Sequence, residues 1–117
     1  MDRGDVVIVS GRGDYGKPRP AAVVQNNQLL RRIESITVCF VTSDLSKESL
    51  LRVSVDPDEA NGLRVRSQIQ IEKIMTFPSE KVKGPIGRVS PDNLRAVDMG
   101  LLFHLDLVQP FDMTVGP

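Results

Sequence analysis

Apolar positions along this chain follow two rhythms. Up to about residue 77 they come in short, dense or alternating runs. Beyond residue 90 they recur three and four apart. Asp5-Val6-Val7-Ile8-Val9-Ser10 is a β-branched run, and such side chains are stiff in a helix but pack well on a pleated surface. The three glycines of "SGRGDYGKP" then predict a turn or loop. A second run spans Pro20 to Gln25, and "NNQLLRRIES" reads as a connection. Ile36 to Thr42 is almost unbroken in apolar character, which predicts a strand covered on both faces and hence central. Leu51 to Val55 alternates and ends at the turn cluster "DPDEANG". From Arg66 to Phe77 the period is two, with Ile69, Ile71 and Lys73 on one face and Gln68, Gln70 and Glu72 on the other. That pattern predicts a half-buried strand.

The last element changes period. Ser90 followed by Pro91 predicts an N-cap with proline at the first helical position, and Asp92 complements the helix start. Leu94, Val97, Leu101, Leu105 and Val108 then form one helical stripe, which Pro110 ends. About five or six short strands followed by one long helix predict an α+β fold, a curled antiparallel sheet or small barrel with the helix packed on it.

Composition narrows this only in part. A chain of 117 residues fits one domain over 1–117, with 109–117 either an irregular tail or an apolar docking segment. There is no Trp, so Val, Ile and Leu must fill the core. No apolar run approaches the ~18 residues of a membrane span, and "MDRGD" lacks the apolar region of a signal peptide. One cysteine and one histidine offer no zinc-site spacing, and neither metal nor cofactor is expected. A soluble, cytoplasmic protein follows. Fifteen basic and fifteen acidic residues cancel, which argues against a broadly basic nucleic-acid coat. Arg12, Lys17, Arg19, Arg31 and Arg32 nevertheless outnumber Asp14 over positions 11–32, so these charges form either a local basic face or solvated turns.

Candidate chemistry centres on "KPRP". Pro20 excludes the α region for Arg19, and Pro18 fixes the turn before it. The Arg19 backbone is thereby ordered before any ligand arrives, and its guanidinium is a planar donor fork suited to phosphate. Thr42-Ser43-Asp44, at the exit of the central strand, either caps a turn or donates to a phosphate oxygen. His104 falls beside the helical stripe, and Cys39 lies inside the central strand, where a buried inert thiol is expected. Neither a Gly-x-Ser-x-Gly elbow, a zinc-protease motif nor a P-loop is present.

In this order the segments resemble a family. "RGDVVIV", "RPAAVVQNN", "VCFVTSDLS" and "SQIQIEKIMTF", followed by the amphipathic helix, are similar to the MazF/PemK-type toxins of bacterial toxin–antitoxin pairs, small mRNA-cleaving enzymes. The resemblance implies an SH3-like β-barrel with a C-terminal helix, a homodimer, single-stranded RNA as substrate, and inhibition by a cognate antitoxin. It implies metal-free cleavage by attack of the 2′-hydroxyl on the adjacent phosphate. Arg19 and Thr42 match the family's main active-site pair. Glu72 matches a later acidic position and becomes a candidate base, with Asp14 as another. Arg12, Lys17, Ser43 and Lys73 are the expected RNA contacts. The chain departs from the pattern in its short loop "GRGDYGK", which lacks the family's Glu and Gln, and in carrying Lys73 and Met75 where many members have Gln and Arg. The family's cleavage specificity therefore does not carry over. The competing expectations are a non-catalytic DNA gyrase inhibitor on the same fold, disfavoured by the absence of a Trp-containing tail, and a plain SH3-like peptide module, disfavoured by the scarcity of aromatics.

Overall fold

A computed structural model describes residues 1–10, 17–47 and 51–107. The chain runs β1 (Asp5–Val9), β2 (Arg19–Val23), a short helix α1 (Asn27–Leu30), β3 (Ser35–Thr42), β4 (Arg52–Val55), β5 (Ser67–Pro78), β6 (Val82–Arg88) and α2 (Pro91–His104). One curled sheet holds all six strands in the order β4-β5-β3-β2-β1-β6, each described pair antiparallel.

The dense apolar runs are explained by burial on both faces. Alternate residues of β1, β2 and β3 enter two separate cores. Val6, Ala22, Cys39 and Val41 join Ile69, Ile71 and Val97 of α2 on one side, while Val7, Val9, Ala21, Val23, Val38 and Phe40 gather on the other. Each fully buried Val or Ile contributes on the order of 1.5–3 kcal/mol relative to exposure.

Strand β5 departs from simple alternation. Its register against β3 moves from Ile74 to Ile69 while β3 advances only from Cys39 to Val41. The surplus residues form a bend. Ile69 and Ile71 are buried and Lys73 is exposed. The polar face expected for Gln68, Gln70 and Glu72 needs correction, because Gln70 is buried and its two neighbours are half-buried.

Two elements went unread in the sequence. Strand β6, "VKGPIGR", carries two glycines and a proline, which the pattern marks as breakers, but an edge strand tolerates them. Helix α1 lies inside the expected connection and is capped by Asn26, whose Oδ1 accepts from the Gln28 N–H at 2.7 Å. Just before it, Gln25 is buried and seals the β2–β3 turn, donating to the Ser35 carbonyl and accepting from the Thr37 N–H at 2.8 Å.

Helix α2 starts as expected. The Ser90 hydroxyl accepts from the Asn93 N–H at 3.1 Å. It stops earlier than expected, at His104. Asp106 takes a left-handed conformation with φ 56°, its N–H bonds the Phe103 carbonyl, and the Leu107 N–H bonds the Leu102 carbonyl at 2.8 Å. These two bonds define a Schellman termination, reached without the usual glycine. Leu105 is therefore exposed instead of continuing the stripe. Val108 and the tail lie outside the described residues. No described helix is long and apolar enough to cross a membrane.

Candidate active site

The prolines of "KPRP" act through the sheet. On one side β2 continues pairing through Ile8↔Pro20 and Val9↔Arg19. On the other its ladder with β3 ends at Ala21↔Phe40, and Pro20 has no N–H to extend it. Carried two residues past the last pair, that register sets Arg19 opposite Thr42, side chains on the same face. Both residues line one cleft at the open end of the β2–β3 pair.

Two contacts order them. The Arg19 guanidinium carbon lies 4.8 Å from the centroid of the buried Phe40 ring, a cation–π arrangement. Phe77 holds that ring edge-on at 5.8 Å. The Thr42 Oγ1 accepts from the Asp44 N–H at 3.0 Å. This bond uses a lone pair and leaves the hydroxyl proton to donate, so turn-capping and phosphate contact are compatible. Asp44 in turn accepts from the Ser46 N–H and hydroxyl, and those bonds hold its carboxyl below the usual range.

Arg19, Thr42 and Ser43 line a cleft of about 590 Å³ together with Ile8, Pro20 and Val41. The opposite wall is the segment 62–65 with Ile86 of β6. Asn61 is buried, and its side chain accepts from the Asp58 and Leu63 N–H groups and donates to the Asp56 carbonyl at 2.8 Å. The Arg88 N–H donates to the Ala60 carbonyl at 2.7 Å, tying the turn to β6.

The other expected site residues are placed as follows. Lys17 and Lys73 are exposed and, like Glu72, absent from the cleft lining. Arg12 and Asp14 lie outside the described residues. Glu72 is fixed to the edge strand β4: its Oε2 accepts from Arg52 Nε at 3.1 Å and Nη2 at 2.9 Å. Partial burial pushes its carboxyl up. The hydrogen bonds from its own backbone N–H and from Arg52 outweigh this, and the net shift is downward from 4.5. The geometry makes Glu72 an ion-pair partner for Arg52. Its lowered pKa adds stability that is present above 4.5 and lost as pH falls through the folded value. In thermal melts Glu72→Gln is expected to cost about 1–3 kcal/mol at pH 7, with the gap to the parent shrinking below pH 4.5. A gap that stays constant down to pH 3 would contradict the ion pair.

Cys39 is buried and unbonded, and burial pushes its thiol up to about 12, as expected for an inert core residue. His104 is exposed in the last turn of α2. The described residues contain no group of three or more His, Cys, Asp or Glu placed to hold a metal ion. Nothing in residue type or spacing singles out Phe40 or Arg64 for a place at the site. Phe40 reaches Arg19 only through the β2–β3 register, and Arg64 reaches the cleft only because the turn before it folds onto β6.

The chain is a small single-sheet domain closed by a C-terminal helix, with an arginine and a strand-end threonine at the open end of one strand pair. Residues 2–105 match the family model described as "PemK-like, MazF-like toxin of type II toxin-antitoxin system", and the chain belongs to that family. It is 33% identical over 108 residues to a probable endoribonuclease MazF of Mycolicibacterium smegmatis, covering 92% of this chain and 98% of that one. To endoribonuclease MazF9 of Mycobacterium tuberculosis it is 36% identical over 116 residues, with the same coverage. Among solved structures, a mycobacterial endoribonuclease in complex with its cognate antitoxin superposes with a TM-score of 0.78 at 21% identity, covering 94% and 99% of the two chains. A MazE–MazF structure from Deinococcus radiodurans gives 0.72 at 20% identity, covering 90% and 94%. Both establish the fold.

Proposed function

We propose that this protein is a cytoplasmic endoribonuclease toxin that cleaves single-stranded mRNA and is neutralised by a cognate antitoxin protein, and that it works as a homodimer. The observation that carries this reading is that Arg19 and Thr42 line one cleft, with the Arg19 guanidinium 4.8 Å from the Phe40 ring centroid. Family membership and the relatives' names support it; nothing in the comparisons favours gyrase inhibition.

In the proposed reaction the ribose 2′-hydroxyl gives up its proton to solvent and its oxygen bonds to the adjacent phosphorus, as the bond from phosphorus to the 5′-oxygen breaks and that oxygen takes up a proton from solvent. The products are a 2′,3′-cyclic phosphate and a 5′-hydroxyl. Negative charge grows on the non-bridging oxygens, where a pre-oriented guanidinium and a hydroxyl donor act most strongly. Ser43, exposed beside Thr42, adds a further hydroxyl. Arg12, Lys17 and Lys73 are proposed to contact the RNA backbone as point charges.

The test is incubation with single-stranded RNA in the presence of EDTA. New 5′-hydroxyl and 2′,3′-cyclic phosphate ends are expected, absent when the antitoxin is added. Intact RNA alongside inhibited gyrase would overturn the reading.

A further inference from the structure

Cleavage chemistry accounts for one side of the cleft and leaves the opposite wall unused. That wall carries Leu63 and Arg64, with Ile86 beside them and Pro20 and Val41 beneath. The space is mostly apolar and directly adjoins Arg19 and Thr42. It therefore suits a flat, largely apolar group attached to the reacting phosphate, which in a single strand is an unstacked base.

A splayed base is held by stacking on an aromatic ring or on an arginine plane. The described lining contains no aromatic side chain. Arg19 is stacked on Phe40. Arg64 is exposed, and no hydrogen bond or ion pair involves it among the described residues. Its neighbour Arg66 differs, lying 3.6 Å from Asp56. The wall that presents Arg64 is preformed: Asn61 satisfies three backbone groups of the turn, and Gly62, at φ 71°, packs against the Ile86 carbonyl.

We propose that the cleft between Arg19–Thr42 and the 62–65 wall is a base-binding subsite, and that the Arg64 guanidinium stacks on the nucleotide base next to the cut, selecting which base is accepted. This rests on the ribonuclease reading above. It makes Arg64 a binding and specificity residue, and its planarity, not only its charge, is what matters.

The experiment compares the parent with Arg64→Ala and Arg64→Lys. A randomised single-stranded RNA pool is cleaved and its new ends sequenced, and a non-cleavable 2′-deoxy pool is titrated for affinity. Stacking predicts that both variants keep kcat and raise KM by roughly 10-fold, weaken binding to the deoxy pool, and lose base preference at one position beside the cut. Rescue by lysine would overturn the proposal in favour of a simple phosphate contact, as would parent-like ends and KM in the alanine variant. A parent that binds the deoxy pool but never cuts defeats the ribonuclease reading, and affinity in the two variants then decides the stacking claim. A parent that neither binds nor cuts overturns both.

Discussion

Arg19→Ala is expected to lower RNA cleavage by at least about 100-fold, with kcat carrying the loss and the melting temperature close to that of the parent. Removing one donor aimed at developing oxyanion charge typically costs 10²–10³ in rate, and Arg19 supplies two N–H groups in one fork. Stability should hold because Arg19 stands at the outer end of β2 and is only half-buried. Its cation–π contact with Phe40 is worth about 0.5–1 kcal/mol at a partly exposed site. Arg19→Lys keeps the charge but neither the fork nor the planar stack, and should recover little. Phe40→Leu separates positioning from chemistry: the guanidinium remains but its plane is released, so activity should fall by less than in Arg19→Ala. Arg19→Ala protein that cuts RNA at the parent rate would remove the proposed mechanism.

The contrast between Arg19 and Glu72 marks what the sequence could and could not convey. Arg19 was legible because its restraint is local. Two prolines act on the residue between them whatever the tertiary structure. Glu72 was matched by position along β5, but its partner is Arg52 on the neighbouring strand, and the bend in β5 decides which way both point. Nothing in the local pattern encodes that bend. For the same reason Gln70 was assigned to an open face and is buried. The central strand and the α2 start were read correctly because burial on both faces and an N-cap leave direct signatures in residue type. Strand β6 is hidden in the sequence because Gly87 serves close approach and Gly84 a positive φ within a strand, and in one dimension these uses look like a turn.

That use of glycine yields the largest expected effect on stability. At Gly87 an added Cβ would overlap the Asn61 carbonyl group and lie 2.6 Å from the Ala60 carbonyl oxygen. The obstacle is backbone, not a flexible side-chain end. It cannot retreat without breaking the bond from the Arg88 N–H to the Ala60 carbonyl and disturbing the turn that buried Asn61 organises. Gly87→Ala should therefore cost about 3 kcal/mol, at the upper end of overpacking penalties. For a domain of this size that is a fall in melting temperature on the order of 10 °C. Gly100→Ala is the matched comparison. Its Cβ would meet the Ile71 Cγ1 at 3.0 Å, a side-chain atom that can yield, and alanine gains roughly 1 kcal/mol in a helix interior. The net change should stay within about 1 kcal/mol. Because segment 62–65 forms one wall of the cleft, Gly87→Ala that survives at low temperature should also bind single-stranded RNA more weakly, whereas Gly100→Ala should not. Equal melting temperatures for the two variants would mean that the 58–62 turn yields easily, and the cleft wall could then not be the rigid surface on which base selection depends.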